Sequence, residues 1–100
     1  HFPRDLRTGT MTDMDLHLID LIARIQRRLG RYPIMITSAY RMPATNSFHM
    51  RGQALDLHVR GVSIRRLPRL ARQEGAGGIG WYPTRGFVHV DTGPRREWRR

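Results

Sequence analysis

Two segments with alternating polar and apolar residues contain side chains that can bind one metal ion. Asp56 is on the polar side of the pattern in residues 54–59, and His89 is on the polar side in residues 87–91. Alternation of this kind is typical of half-buried β-strands, whose successive side chains point to opposite faces. If the two strands are neighbours, Asp56 and His89 converge on one face. His49 precedes Asp56 on a segment in which a glycine lets the chain bend back toward the same place.

Two imidazoles and one carboxylate form a ligand set suited to catalytic zinc. Such sites use three protein ligands and leave the fourth position to water, whose pKa then falls toward about 7. A single histidine is weak evidence for a metal site, because most histidines are ordinary surface or core residues. The combination of His49, Asp56 and His89 is much stronger evidence for a metal site, and it predicts that Zn²⁺ is bound there.

The helices that must support this site are visible as apolar residues at helical spacing. The first helix is predicted over residues 13–29, with polar caps at its start and with Gly30 at its end. A second helix is predicted over residues 63–75, and Pro68 near its middle implies a late start or a kink.

Four strands are predicted, and the last two form an antiparallel hairpin. They cover residues 34–37, 54–59, 77–82 and 87–91. Residues 39–52 are predicted as a polar loop, and residues 94–100 as an irregular basic tail. The expected fold class is α+β: a small antiparallel sheet with helices packed on one face, in a single domain spanning residues 1–100.

The amino-acid composition limits which binding partners and which kinds of bonding and membrane segment the protein can have. All 18 basic residues are arginines against 8 acidic residues, so the net charge is +10 and favours polyanions such as nucleic acid, anionic membrane or an acidic cell-wall polymer. The absence of cysteine excludes disulfides and thiolate metal sites. No stretch is long and apolar enough for a membrane span. The chain begins at His1, so we expect a mature or trimmed form from which any signal peptide is missing.

The metal-binding segment resembles a known family motif. Residues 47–56, Ser-Phe-His-Met-Arg-Gly-Gln-Ala-Leu-Asp, resemble the S-x-H-x-x-G-x-A-x-D motif of the LAS zinc metallopeptidases. Residues 38–41, Ser-Ala-Tyr-Arg, resemble the S-x-Y-R motif of the D-Ala-D-Ala metallopeptidase branch, peptidase family M15. Residues 78–83 and 86–93, with the N-terminal residues 4–9, resemble the murein endopeptidase K subfamily. The resemblance covers nearly the whole chain and implies a fold like that of the hedgehog domain and D-Ala-D-Ala metallopeptidases.

The resemblance also implies individual roles. His49, Asp56 and His89 match the zinc ligands, and Arg41 matches an arginine that holds a substrate carboxylate or the developing oxyanion. A planar guanidinium suits that task through paired hydrogen bonds, although an ordinary salt bridge is the alternative.

Three further residues are substrate-binding candidates. Ser47 and Gln53 match positions that line the substrate cleft, with a turn-capping serine and an exposed strand glutamine as the alternatives. Trp81 either forms an aromatic wall for substrate or packs the hairpin.

The general base departs from the family pattern. Many relatives have Glu or His shortly before the last zinc ligand, where this chain has Gly86 and Phe87. Asp91 shares a strand face with His89 and is the best substitute, unless it is a carboxylate that orients His89 or Arg41. Glu97 is a more distant candidate.

A second departure is the short connection at Asn46 and Ser47. The subfamily is expected to have about a dozen residues between its Thr-Asn pair and the Ser-x-His motif, whereas here the two adjoin. Either the loop is short or residues are missing from the sequence.

The predicted function is zinc-dependent hydrolysis of peptide bonds in peptidoglycan stems or cross-links. The alternative is a non-catalytic, zinc-containing cell-wall binding module of the same fold. A nucleic-acid partner is not expected, because no helix-turn-helix, RNA-recognition or zinc-finger signature is present. The resemblance places the protein in the periplasm or cell envelope, and nothing in the sequence demands more than a monomer.

Overall fold

The computed structural model describes residues 16–41 and 53–100. Two helices and five strands follow one another in this part of the chain. They are α1 (Leu16–Leu29), β1 (Ile34–Arg41), β2 (Gln53–Val59), α2 (Arg66–Gln73), β3 (Gly78–Tyr82), β4 (Phe87–Asp91) and β5 (Arg96–Arg99). The α+β class predicted from the sequence is confirmed.

The five strands form one sheet in the order β1-β2-β4-β3-β5. The pairs β1–β2, β2–β4 and β3–β4 are antiparallel, whereas β3 and β5 are parallel. β4 therefore lies at the centre of the sheet, and β2 is its neighbour. This order brings the two alternating segments identified in the sequence side by side.

The hydrophobic core lies between the helices and one face of the sheet. Leu18, Leu21 and Ile25 of α1 are almost completely buried, as are Leu57 of β2 and Val88 of β4. Residues from α2 and β3 belong to the same cluster. The alternation of β2 and β4 explains this arrangement, because the residues between these apolar positions must lie on the opposite face. That opposite face contains Asp56 and His89, and it is called the polar face below.

Three sequence predictions differ from the structure. The tail predicted as irregular forms β5, an edge strand that pairs in parallel with β3. β1 continues to Arg41 rather than ending at residue 37, with a register shift between Ile36 and Ser38. α2 begins only at Arg66, so that Pro68 lies in its first turn, where the missing amide proton costs little.

None of the helices in the described ranges has the length and hydropathy needed to cross a lipid bilayer.

Candidate metal centre

Asp56 and His89 are direct cross-strand partners in the β2–β4 pair. His89 Nδ1 lies 3.6 Å from Asp56 Oδ1, and only 6% of His89 is exposed to solvent. Burial is the largest influence on Asp56 and raises the pKa of its carboxyl, although the nearby His89 and Tyr40 oppose this. The convergence predicted from the two alternating segments is therefore present.

The opposite edge of the His89 ring is held by Asp91. His89 Nε2 lies 2.6 Å from Asp91 Oδ2, and Asp91 is completely buried. A carboxylate accepts hydrogen bonds, so His89 has its proton on Nε2 and its lone pair on Nδ1. That lone pair points into the same space as Asp56 Oδ1, where a metal ion would be bound.

Asp91 is itself fixed by four further donors. Its Oδ1 accepts hydrogen bonds from the backbone N–H groups of Gly78 and Gly93, both at 2.9 Å, and from Arg96 Nη1 at 3.2 Å. Arg96 Nη2 donates to Oδ2 at 2.9 Å. Burial alone would raise the pKa of Asp91, but the hydrogen bonds from His89, Arg96 and Gly93 outweigh it and hold the pKa at about 2. Asp91 is therefore ionised at neutral pH.

The glycines of β3 make room for these groups. A Cβ atom on Gly78 would lie 2.2 Å from Asp91 Oδ2, and one on Gly80 would lie 2.5 Å from the ring of Trp98. Both distances are far inside van der Waals contact. Positions 78 and 80 therefore require glycine because the residues that surround His89 approach the strand closely there, and not because of turn geometry.

Tyr40 of β1 completes one side of the centre. Its hydroxyl lies 2.6 Å from His89 Nδ1 and 3.5 Å from Asp56 Oδ1, and 44% of the residue is exposed. Burial, followed by the charge of Asp56, raises the pKa of Tyr40 to about 12. The hydroxyl therefore stays protonated at neutral pH and donates a hydrogen bond to the His89 lone pair.

Trp98 of β5 covers the other side of His89. The two ring centroids are 5.0 Å apart with the planes tilted by 50°. Trp98 Nε1 donates a hydrogen bond to the Tyr82 hydroxyl at 2.8 Å, and the guanidinium of Arg96 lies 5.5 Å from the indole ring centroid. The C-terminal strand thus contributes two residues, Arg96 and Trp98, that restrain His89 directly or through Asp91.

The donor set suits zinc. Two ligands of one tetrahedral zinc ion lie roughly 3.3 Å apart for bond lengths near 2.0–2.1 Å, and the observed separation between Asp56 Oδ1 and His89 Nδ1 is 3.6 Å. A histidine ligand whose second nitrogen donates to a carboxylate is the usual arrangement at such sites. Within residues 16–41 and 53–100 no three His, Cys, Asp or Glu side chains are grouped closely enough to hold a metal by themselves. The third predicted ligand, His49, lies outside the described residues, as does Ser47.

Three other residues that the sequence singled out, Gln53, Trp81 and Glu97, do not lie beside His89. Gln53 shares the strand parity of Leu55 rather than that of Asp56, and it pairs in register with Arg41 at the end of β1. Trp81 packs against the hydrophobic core, on the helix-bearing face of the sheet. Glu97 is bonded to Arg72 of α2 through both oxygens, at 2.6 and 2.8 Å.

Sequence reasoning missed Tyr40, Arg96 and Trp98 as neighbours of His89. A signal was available for Tyr40, because it lies within the Ser-Ala-Tyr-Arg motif. Arg96 and Trp98 were overlooked because the C-terminal segment was predicted to be irregular. Residues 96–99 contain one aromatic residue among three charged ones, so the sequence offers little signal for β5 or for the face on which Trp98 lies.

Comparison with known proteins places the chain in a family. The family model described as peptidoglycan L,D-endopeptidase MepK matches residues 1–98. The chain is 38% identical over 112 residues to peptidoglycan L,D-endopeptidase MepK of Escherichia coli K12, which covers 98% of this chain and 62% of the relative. It is 35% identical over 111 residues to the probable peptidoglycan L,D-endopeptidase MepK of Haemophilus influenzae, covering 96% of this chain and 60% of the relative. No solved structure gives a significant match.

The comparisons also show how much of each relative's length this chain covers. The chain spans about three fifths of the length of the curated relatives it matches. The alignment with the Escherichia coli protein runs over 112 positions but covers 98% of a 100-residue chain, so some positions of the relative have no counterpart here. A shortened segment at Asn46 and Ser47 would produce this difference. With a family model that matches almost every residue, the chain belongs to the M15 peptidase family described as peptidoglycan L,D-endopeptidase MepK.

Proposed function

We propose that this protein is a zinc-dependent hydrolase of peptide bonds in peptidoglycan cross-links. The observation that carries the proposal is the pairing of Asp56 and His89 across β2 and β4, with the His89 lone pair and the Asp56 carboxylate facing the same space. Family membership supports the choice of substrate, since the relatives are named as peptidoglycan L,D-endopeptidases. A single-domain monomer acting in the periplasm or cell envelope is part of the same proposal.

His49, Asp56 and His89 would hold the zinc ion. Zinc bound there would polarise the scissile carbonyl and lower the pKa of a water molecule. Asp91 keeps the His89 lone pair directed at the metal by fixing the proton on Nε2. Arg41 is proposed to hold a substrate carboxylate, with Ser47 as a further substrate contact. Gln53 is not retained in this proposal, because it shares the strand parity of the core residue Leu55.

We assign Asp91 the orienting role rather than that of the general base. Its oxygens accept hydrogen bonds from His89, Gly78, Gly93 and Arg96, and the side chain is completely buried. A base needs an oxygen within reach of the proton that it removes, and Asp91 lies behind His89 rather than beside Asp56. Glu97 is bonded to Arg72 and belongs to the helix-bearing face.

Tyr40 is proposed as a hydrogen-bond donor to the substrate. Its hydroxyl lies beside both Asp56 and His89, and its pKa of about 12 keeps the proton in place at neutral pH. A donor at this position would stabilise negative charge that develops on the carbonyl oxygen during attack. The partial exposure of Tyr40 allows a substrate to reach it.

The test is zinc content and product analysis of digested peptidoglycan, with and without a chelator. Near one zinc per chain and chelator-sensitive cleavage are expected, and the products identify the bond that is cut. His89→Ala and Asp56→Ala should each lose zinc and cleavage. His58→Ala is the matched control, because His58 shares the polar face but bonds to the Gly86 carbonyl at 3.1 Å. Full cleavage by His89→Ala would refute the proposal, and zinc without any cleavage would favour the binding-module alternative.

A further inference from the structure

A cationic cavity lies on the helix-bearing face of the sheet, on the opposite side from Asp56 and His89. Its volume is about 420 Å³, within the usual range for ligand sites. Its lining residues are Arg65, Pro68, Arg69, Arg72, Trp81 and Arg99. Trp81 is the cross-strand partner of the core residue Val88, which places the cavity on the side of the helices.

Most of the positive charge in this cavity is uncompensated. Arg72 is paired with Glu97 at 2.6 Å. In the described part of the chain, no ion pair joins Arg65, Arg69 or Arg99 to a carboxylate. Three guanidinium groups therefore share one concave surface without neutralisation. Mutual repulsion between these groups destabilises the folded protein unless an anion is bound or the groups stay hydrated.

Trp81 adds a second, independent feature. The Arg99 guanidinium lies 4.6 Å from the Trp81 ring centroid, so the indole helps to position this cation at the cavity wall. The indole Nε1–H of Trp81 is shielded from solvent and meets no hydrogen-bond acceptor among the residues that the structure describes. Buried donors normally have a partner, and an unsatisfied one often accompanies a site that a ligand or water completes.

The spacing of the arginines indicates an extended ligand. Arg65, Arg69 and Arg72 lie one helical turn apart, at the start of α2 and along it. At 1.5 Å per residue, the row spans roughly 10 Å. A single small anion contacts one or two of these groups, whereas a chain with several anionic groups can contact all of them. Guanidinium groups bind carboxylates through paired hydrogen bonds, which suits a ligand with repeated carboxylates.

We propose that this cavity binds carboxylate groups of peptidoglycan stem peptides at a place separate from the cleavage site. This inference rests on the proposed function, because the substrate there is a polymer with carboxylates at regular intervals. A second attachment point on the same polymer raises the local concentration of substrate at the metal centre without any change in that centre.

The test measures how the full chain is retained on purified, insoluble peptidoglycan at 4 °C, over a series of salt concentrations. Arg65→Gln/Arg69→Gln is compared with Arg27→Gln/Arg85→Gln, a matched control that removes two exposed arginines elsewhere. We expect the cavity variant to bind roughly tenfold more weakly at moderate salt and the control to change less than about threefold. Amidation of the peptidoglycan carboxyl groups should weaken binding of the unaltered protein to the level of the cavity variant.

Equal losses in the two double variants would overturn the proposal, because the effect would then be one of net charge alone. Competition by tripolyphosphate but not by tricarballylate would also overturn it, since the cavity would then prefer phosphate. Hydrolysis of a short soluble cross-linked peptide by the unaltered protein is measured in parallel. If the soluble peptide is not hydrolysed but the cavity variant still binds peptidoglycan more weakly than the control, only the proposed hydrolysis is contradicted. If the peptide is hydrolysed but the two double variants bind equally well, only the proposed role of the cavity is contradicted.

Discussion

Asp91 Oδ2 lies 2.6 Å from His89 Nε2, within one strand and two residues away along the chain. Side chains at this spacing point to the same face, so β4 supplies both the proposed zinc ligand and the carboxylate that orients it. Because Asp91 is completely buried and held by Gly78, Gly93 and Arg96, the His89 ring has little freedom to rotate. The proposed metal centre is therefore supported from behind by a carboxylate that is buried from solvent.

Asp91→Asn tests this organisation. The asparagine amide nitrogen would replace one of the two carboxylate oxygens. At Oδ2 it would face the donors of His89 and Arg96, and at Oδ1 it would face the backbone N–H groups of Gly78 and Gly93, so some of the hydrogen bonds that fix this side chain against His89 must be lost in either orientation. Zinc affinity, measured by competition with a chromophoric chelator, is expected to fall about 10–100-fold.

Glu97→Gln is the matched control for that variant. Glu97 is also paired with an arginine, but it lies on the helix-bearing face and should leave zinc affinity unchanged. Unaltered zinc binding by Asp91→Asn would show that Asp91 does not orient His89.

Tyr40→Phe separates the role of the hydroxyl in catalysis from its role in the fold. The phenyl ring keeps the packing of β1, while the donor beside Asp56 and His89 is removed. If Tyr40 donates to the substrate oxygen, kcat on a cross-linked peptide should fall about 10²–10³-fold, with KM and zinc content close to those of the unaltered protein. An unchanged kcat would refute this role, and a parallel loss of zinc would indicate that Tyr40 supports the metal ligands instead.

The alternation of residues 54–59 and 87–91 was sufficient to predict the central part of the site. It fixed the faces of β2 and β4, and their pairing then placed Asp56 opposite His89. This succeeds because one face of each strand is buried and a shift by one residue would reverse every side chain.

The tail at residues 96–99 could not be predicted in the same way. Its charged residues are exposed, so burial leaves little pattern in the sequence. What fixes β5 is long-range: Arg96 binds Asp91, and Trp98 lies against Gly80 and His89. Contacts of this kind are set by the tertiary arrangement and not by local propensity.

Glu74 at the end of α2 should make stability depend on pH in the acid range. Its carboxylate is bonded to Arg28 and Arg24 of α1, and the hydrogen bond from Arg28 is the largest of the influences that lower the pKa of Glu74. A lowered pKa in the folded state means that the stabilisation is complete above the ordinary value of about 4.5 and is lost as the pH falls below it.

Glu74→Gln should therefore lower the thermal midpoint at pH 7 and flatten its decline between pH 5 and about 3, as measured by circular dichroism. Arg28→Gln should have a similar effect. Arg27→Gln is the control, since Arg27 is exposed on the same helix. An equally steep acid decline in Glu74→Gln would contradict the linkage between α1 and α2 through this carboxylate.

Gly78→Ala tests whether the close approach of β3 to Asp91 is required. A Cβ atom at this position would lie 2.2 Å from Asp91 Oδ2, so either the strand or the carboxylate must move. Moving Asp91 breaks its bond to the Gly78 amide and disturbs the contact with His89. We expect a loss of roughly 1–3 kcal/mol in the free energy of unfolding, together with weaker zinc binding.

Gly75→Ala provides the comparison that distinguishes backbone strain from this steric effect. Gly75 has a φ of 88° and no atom near the position of an added Cβ, so alanine there costs only the strain of the left-handed backbone, about 1–2 kcal/mol. Both variants should therefore be less stable in urea denaturation, but only Gly78→Ala should lose zinc affinity. A zinc affinity in Gly78→Ala equal to that of the unaltered protein would mean that the proposed metal centre tolerates the displacement that the added Cβ forces on Asp91 or on β3.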